Sequence, residues 1–466
     1  MIEALLNVPM TKKEVDRLLQ ETANELRLYD HEDRGAKERA NESGVKKVHL
    51  EELKSELESY EKHGPRDRTG SEEPVWIPRD PVAAIVQSYY DEFFEETKLV
   101  KKEPAGRRLF RSAVPVSNRE LKPAAMEYLN GTRRLGGRWL TKFGERDVRF
   151  GTWWAAAMMG QLRYRKHKFP EGPAPTYPIG NKDRVLLVGD WGSGIPRALQ
   201  VATAMRSSLE QALKKGRRCH VIHLGDVYYT GQKREYQKRF LKPWPVYPDD
   251  PPSKTSSWCL NANHDMFSGG HGYFDYLLKD DRFKRQKRSS YFCLENDYWQ
   301  ILGLDSAYDN GDLHGEQAAW VHQMRTGQPK KAGILLTHHQ PVSSYEESSG
   351  KLLERLRPTL KENLVRAWFW GHEHRCAIYK KRARIEYPRL IGHGGVPVWA
   401  PKVPQPADVV FQYGMEPERE YFERYGSERF QRFGFAELTF EEQHIEVRYL
   451  TELGAQAKDE TLRVTS

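Results

Sequence analysis

Cysteine is scarce in this chain: four in 466 residues, at Cys219, Cys259, Cys293 and Cys376, with no Cys-x-x-Cys pair. Scattered in this way, they read as reduced thiols and not as a disulfide framework. Long apolar runs are also missing. The stretch WWAAAMMG, Trp153 to Gly160, is among the longest and is far too short to span a bilayer. The N-terminus, MIEALLNVPMTKKEVDR, has no basic start followed by a long apolar region, so no secretory signal is expected. There is no internal repeat and no long low-complexity tract. These absences together predict a cytoplasmic protein without a transmembrane segment.

What is present is ordinary globular material in quantity. A chain of 466 residues exceeds one typical core, so two domains are the starting expectation. Twelve Trp and twenty-three Tyr offer large surfaces for burial, although 30% of the residues are charged. The net charge of +9 is uneven: Lys101 to Pro170 holds 17 Lys and Arg against 5 Asp and Glu, leaving the remainder net acidic. Such a region suits nucleic acid or another polyanion, anionic lipid or an acidic partner; the simpler reading is a solvated basic face.

Residues 11 to 30 have the spacing of a charged amphipathic helix, and Glu61 to Pro81 reads as a linker rich in Gly, Pro and charge. Asp80 and Pro81 signal a helix running to about Glu96. The loop from Phe169 to Arg184 is the clearest boundary. The expected organisation is a charged helical segment and linker (1–75), a basic, mostly helical region (76–178), a catalytic domain (179–455) and a polar tail (456–466). Past the boundary, short apolar runs such as RVLLVGD and CHVIHLGD alternate with helical patterns, which predicts an α/β sandwich. FGFAELTF and HIEVRYLTE alternate like an antiparallel hairpin.

The apolar runs end on chemistry. Asp190 stands in GDWGSG, Asp226 and Tyr229 in GDVYYTG, and Asn263 and His264 in NANHDM. His338 and His339 stand in LLTHHQP, and His372 and His374 in GHEH. In α/β sheets ligands gather beyond the carboxyl ends of strands, and carboxylate, phenol, amide and imidazole are donors that Mn, Fe and Zn accept. Two cations about 3.5 Å apart need an anionic bridge, and together they lower the pKa of water. Asp226 is the candidate bridge. A glycine before each aspartate is expected to let the backbone turn sharply. The Gly371-His372-Glu373-His374 spacing, if extended, puts both imidazoles on one side.

In this order, GDWG, GDVYYTG, NANHD, LLTHHQP and GHEH resemble the calcineurin-like metallophosphoesterases, and more narrowly the purple-acid-phosphatase branch. That branch has Gly where others have His in the first motif, here Gly192, and a tyrosine three residues after the bridging aspartate, here Tyr229. The resemblance covers about Arg184 to Glu452. It implies a four-layer α/β/β/α sandwich, to which the sequence adds a mostly helical N-terminal region. It also implies a dinuclear, metal-dependent phosphoesterase that hydrolyses a phosphate mono- or diester with metal-bound hydroxide. The first metal would take Asp190, Asp226, Tyr229 and His374, and the second Asp226, Asn263, His338 and His372. The pair would be iron with zinc, manganese or a second iron. His264 would face the phosphorylated substrate, orienting an oxygen or protonating the leaving group. His339, His271 and His393, the last in the glycine-rich GHGGVP, would line the substrate site, while Asp305 in LGLDSA is either a supporting hydrogen-bond acceptor or a plain turn aspartate. Ala262 replaces the glycine usual before Asn-His. The basic Lys101 to Pro170 region adds an alternative, a nuclease or nucleic-acid-end phosphatase; a further alternative is an inactive phosphoesterase-fold binding protein.

Overall fold

The computed structural model describes residues 166–228, 230–346, 348, 350–396, 405–413 and 432–464, and the backbone of 133–135 and 138–140. The helices expected over 11–30 and from Asp80, the linker at 61–81, and Tyr229 lie outside these residues. The backbone divides into two compact units, Met1–Lys166 with Phe267–Gly269, and His167–Met266 with Gly270–Ser466. In the first, strands β1 (Arg133–Leu135) and β2 (Arg138–Leu140) pair antiparallel, Arg134 opposite Trp139. This hairpin lies within the region read as mostly helical, 76–178, most of which is outside the described residues. The two residues between its strands in sequence are glycines, which favour hairpin connections.

The second unit holds two sheets. One has the order β16 (Gln456–Arg463), β15 (His444–Thr451), β14 (Gly434–Glu441), β4 (Arg184–Val188), β5 (Cys219–His223), β6 (Thr255–Cys259). The other runs β13 (Val409–Tyr413), β11 (Cys376–Tyr379), β12 (Tyr387–Ile391), β10 (Ala367–Trp370), β9 (Ala332–Thr337), β8 (Trp299–Gly303), β7 (Phe292–Glu295), β3 (Thr176–Pro178). Side chains alternate across each strand, so every core strand serves two layers. Val185, Leu187, Ile222 and Trp258 of the first sheet meet Ile301, Ile334, Leu336 and Phe369 of the second in one buried cluster. The alternate residues Leu302, Leu335, Trp368 and Trp370 face outward onto Val321, Leu352, Leu356 and Leu360. Val321 belongs to helix α3 (Gln317–Gly327), which follows α1 (Pro196–Lys214) and α2 (Asn263–Phe267) in the chain. Because both faces are covered, these strands read as unbroken apolar runs.

Helix α1 forms the layer outside the first sheet. It has a proline in its first turn and buries Val201, Met205, Leu209 and Ala212 at helical spacing. Arg184 of β4 donates to its Ser208 carbonyl at 3.0 Å. The architecture is therefore the expected four-layer α/β/β/α sandwich, a metallophosphoesterase fold.

The sandwich is wider than its expected limits. Strand β3 precedes residue 179 and pairs with β7. Residues 456–466 are not a separate tail either, since Gln456–Arg463 pairs along β15 as β16. Edge strands hide in sequence because one side faces water and is polar.

Strands β4, β5 and β6 are mutually parallel, as are β8, β9, β10 and β12. The loops after their carboxyl ends carry the polar motifs.

Candidate metal centre

Four residues at these strand ends hold their backbones in the left-handed region: Asp190 (φ 57°), Asp226 (φ 76°), His372 (φ 72°) and His374 (φ 47°). Each costs on the order of 1–3 kcal/mol and persists only where the surroundings determine it. The strain therefore sits on the functional residues themselves. Of the glycines before them, only Gly225 has positive φ (106°), and an added Cβ there would lie 2.5 Å from Ala262 Cβ. Gly371 is needed for room: its Cβ would meet Asp190 Oδ2 at 2.7 Å. The sharp-turn reading of the glycines is corrected to that extent.

The donors fall into two groups. In the first, the Tyr228 hydroxyl lies 3.1 Å from Asp190 Oδ1, 2.9 Å from Asp226 Oδ2 and 2.9 Å from His374 Nε2. His374 Nε2 is 3.4 Å from Asp190 Oδ1. In the second, His338 Nε2 lies 2.8 Å from Asn263 Oδ1, 3.1 Å from His372 Nδ1 and 3.6 Å from Asp226 Oδ1. Asp226 thus turns one oxygen to each group. His372 and His374 part company as well, since left-handed backbone at both sends one imidazole to each group and not both to one side.

The donor set fits metal ions. Bonds of about 2.0–2.2 Å place neighbouring donors about 3.0–3.4 Å apart, close to the separations above. Asp190, Asp226 and His374, and likewise Asp226, His338 and His372, present ligand atoms mutually within 4.8 Å. His338 Nδ1 faces the Leu224 carbonyl at 3.0 Å, so it carries a proton, and in the neutral ring a metal would bind at Nε2. In that form Nε2 and the Asn263 carbonyl oxygen are both acceptors, 2.8 Å apart, and a cation between them would satisfy both.

Electrostatics separate the two aspartates. Burial alone would raise the Asp226 carboxyl, but the imidazoles of His338, His264, His372 and His374 outweigh it and hold the group below its ordinary value. Burial, with the Asp226 charge beside it, pushes Asp190 well up. Burial and then the positive potential of neighbouring imidazoles push His372 and His339 well down, which keeps them neutral. Burial, then Asp190 and Asp226, push the Tyr228 phenol up.

The other expected residues divide. The His264 backbone amide donates to Asp226 Oδ1 at 3.1 Å, and its ring lies 4.6 Å from that of Tyr228. The His339 ring is 4.7 Å from His372, and its Nε2 has no hydrogen-bond partner among the described residues. His271 is placed elsewhere: its Nδ1 lies 3.2 Å from Asp275 Oδ2 on the surface, beside His167. His393 is buried with both ring nitrogens unpartnered among the described residues, edge-on to Tyr413 at 5.8 Å. These contacts do not join either histidine to the donor groups.

Sequence reasoning passes over Tyr228. Its position follows from the loop backbone: Val227 bridges to Gly192, and Tyr228 N donates to the Gly192 carbonyl at 3.1 Å. A Cβ at Gly192 would lie 2.8 Å from Val227 Cα, so no histidine fits there. Arg239 donates to the Tyr228 carbonyl at 2.6 Å and to Glu235 at 3.2 Å, and Glu235 accepts from Thr230 N and Gln232 N.

The two sheets and the two donor groups define a metal-dependent phosphoesterase type of domain. Residues 183–376 match the calcineurin-like phosphoesterase family, and this segment is a calcineurin-like phosphoesterase domain. No curated protein matches the chain in sequence. Among solved structures, the chain is similar to GAP50, the anchor in the inner membrane complex of Plasmodium, at 13% identity over 61% of this chain and 90% of that one, with a TM-score of 0.45. It is also similar to Vps29 of Chaetomium thermophilum, at 10% identity over 62% and 100% with a TM-score of 0.29. A predicted phosphoesterase from Streptococcus pneumoniae TIGR4 shows 9% identity over 60% and 98%, with a TM-score of 0.26. Likenesses at this level say nothing of activity.

Proposed function

We propose that this protein is a dinuclear metal-dependent phosphoesterase hydrolysing a phosphate mono- or diester. The observation that carries the reading is Asp226, whose two oxygens face two different sets of donors. One ion would be held by Asp190, Asp226, His374 and a tyrosine, Tyr228 by the contacts described or Tyr229 by the resemblance. The other takes Asp226, Asn263, His338 and His372. Bound there, iron paired with zinc, manganese or a second iron lowers the pKa of water and offsets charge on phosphoryl oxygens. Gly192 and the tyrosine pair support a place near the purple-acid-phosphatase branch.

The protein's own groups do the remaining work. His264, anchored through its amide to Asp226, hands a proton to the leaving oxygen. His339 offers Nε2 to a phosphoryl oxygen. The neutral imidazoles of His372 and His339 need no deprotonation before they act. All four cysteines are buried free thiols, which supports a reducing, cytoplasmic setting. No helix among the described residues is long and apolar enough to cross a membrane.

The test is elemental analysis of the purified protein, with hydrolysis of generic mono- and diesters before chelation, after it and after metal reloading. Two ions per chain and activity that returns with metal are expected. Fewer than one ion after reloading, with no hydrolysis, would sink the reading in favour of an inactive binding protein. The Lys101 to Pro170 charge makes a polyanionic substrate separable by salt. Cleavage of nucleic acid would fall steeply with ionic strength, and a small monoester only weakly.

A further inference from the structure

We propose that Asp305 and Ser306, directly beyond strand β8, are positioning residues for the Asn263–His338 half of the centre; this rests on the dinuclear reading above. No motif of the donor set includes either residue.

Asp305 is fully buried and saturated with donors. Its Oδ1 accepts from Ala307 N at 3.0 Å and Tyr308 N at 2.9 Å, which shapes the turn. Asn261 Nδ2 reaches both carboxylate oxygens at 3.1 Å. Gln317 of α3 closes the turn from below, accepting from Asp305 N at 2.8 Å and donating to the Asp305 carbonyl at 3.0 Å. Asn261 lies two residues before Asn263, and Ala262 between them is packed against Gly225. With Asn261 tied to Asp305 and Ala262 wedged on Gly225, the Asn263 carboxamide has little freedom in front of His338.

Ser306 acts on the neighbouring loop. Its Oγ accepts from His339 N at 3.0 Å and lies 3.1 Å from His339 Nδ1. The hydroxyl has a second lone pair as well as its own proton, so it pairs with Nδ1 in either tautomer and holds the ring in place, with Nε2 the nitrogen without a described partner. The same anchor fixes the backbone immediately after His338, while Thr337 Oγ1 donates to the His339 carbonyl at 2.8 Å. One two-residue turn therefore holds the loop bearing Asn263 and the loop bearing His338. It makes no described contact with Asp190, Tyr228 or His374. The consequence is directional: loosening this turn should weaken one ion and spare the other.

The experiment titrates cobalt(II) into chelator-stripped full-length protein, reading stoichiometry by elemental analysis, cobalt absorption and thermal melting. Wild type should take two ions. Asp305→Ala should take one at cobalt levels that saturate wild type, the second site being weakened about 10–100-fold, the usual effect of losing a group that orients a ligand. Asp305→Asn should recover the second ion, because its Oδ1 keeps the two turn bonds and its Nδ2 meets a flipped Asn261 amide. Ser306→Ala, a milder change, should show the same one-sided loss if Asp305→Ala folds poorly. Both ions retained at wild-type affinity in Asp305→Ala and Ser306→Ala would overturn the proposal alone. Equal weakening of both sites in step with a lower melting temperature would also overturn it, as a merely structural role. Wild type holding fewer than two ions would remove the dinuclear reading and this inference together.

Discussion

The hydroxyl of Tyr228 lies 2.9 Å from Oδ2 of Asp226, two residues away along the same loop. The resemblance counts three residues from that aspartate and arrives at Tyr229, which lies outside the described residues; among those described, Tyr228 makes this contact. Tyr228→Phe should lower metal content at the Asp190–His374 group and, in iron-loaded protein, abolish any visible phenolate band. Tyr229→Phe should leave both in place. An absorption spectrum with elemental analysis on the two variants decides between them, and the reverse pattern would restore the spacing of the resemblance.

Asp226 serves both donor groups, so its loss should not be confined to one of them. Asp226→Asn keeps the shape and removes the charge that two cations would share. Metal content is expected to fall from two ions to one or fewer, and kcat by at least about 10²–10³, the scale for losing one aligned electrostatic partner. Retention of two ions in that variant would show that the carboxylate is not a bridge.

His264 is assigned a proton and not a metal. His264→Asn should therefore keep both ions. With an alkyl phosphate, whose leaving oxygen needs a proton, kcat should drop about 10²–10⁴-fold. With a nitrophenyl ester, whose leaving group departs as the anion, the drop should be much smaller. Equal losses on both substrates would argue against the acid role.

Burial pushes the His393 imidazole down to about 3. The unfolded chain binds a proton near pH 6.5 that the folded chain refuses, so this group leaves stability untouched above pH 7. Stability is lost as pH falls from 6.5 toward 3. Between pH 7 and pH 5 the cost is about 2 kcal/mol by proton linkage. Urea midpoints at the two pH values should show wild type losing about that much more than His393→Gln. Equal acid sensitivity would mean that the ring is protonated, or reached by water, in the fold.

Gly225 and Ala262 form a complementary pair across two loops. A methyl on Gly225 would strike Ala262 Cβ at 2.5 Å and His338 Nδ1 at 3.0 Å, on a backbone that side chains rarely adopt. Gly225→Ala should lower both stability and metal content, whereas Ala262→Gly should be mild. Melting curves with metal analysis compare them, and a tolerated Gly225→Ala would contradict the packing described.

Much of the site is legible in sequence because metal chemistry restricts residue types. Asp190, Asp226, Asn263, His338, His372 and His374 stand where apolar runs end, and an apolar run of strand length flanked by turn residues marks a strand buried on both faces. His271 and His393 are not separable from these by type alone. A histidine near a motif looks the same in sequence whether it meets a donor group, Asp275 on the surface, or the ring of Tyr413.

Taken alone, then, the sequence determined the sandwich and the kinds of donor at its strand ends, since period-two burial and ligand chemistry are local properties. Tertiary structure alone decided that the Tyr228 hydroxyl meets Asp190, Asp226 and His374, that left-handed backbone parts the His372 and His374 rings, and that Asp305 reaches Asn261. It also placed β3 and β16 inside the sheets. Each of these depends on backbone angles in the left-handed region or on partners distant in the chain, and the order of residues encodes neither directly.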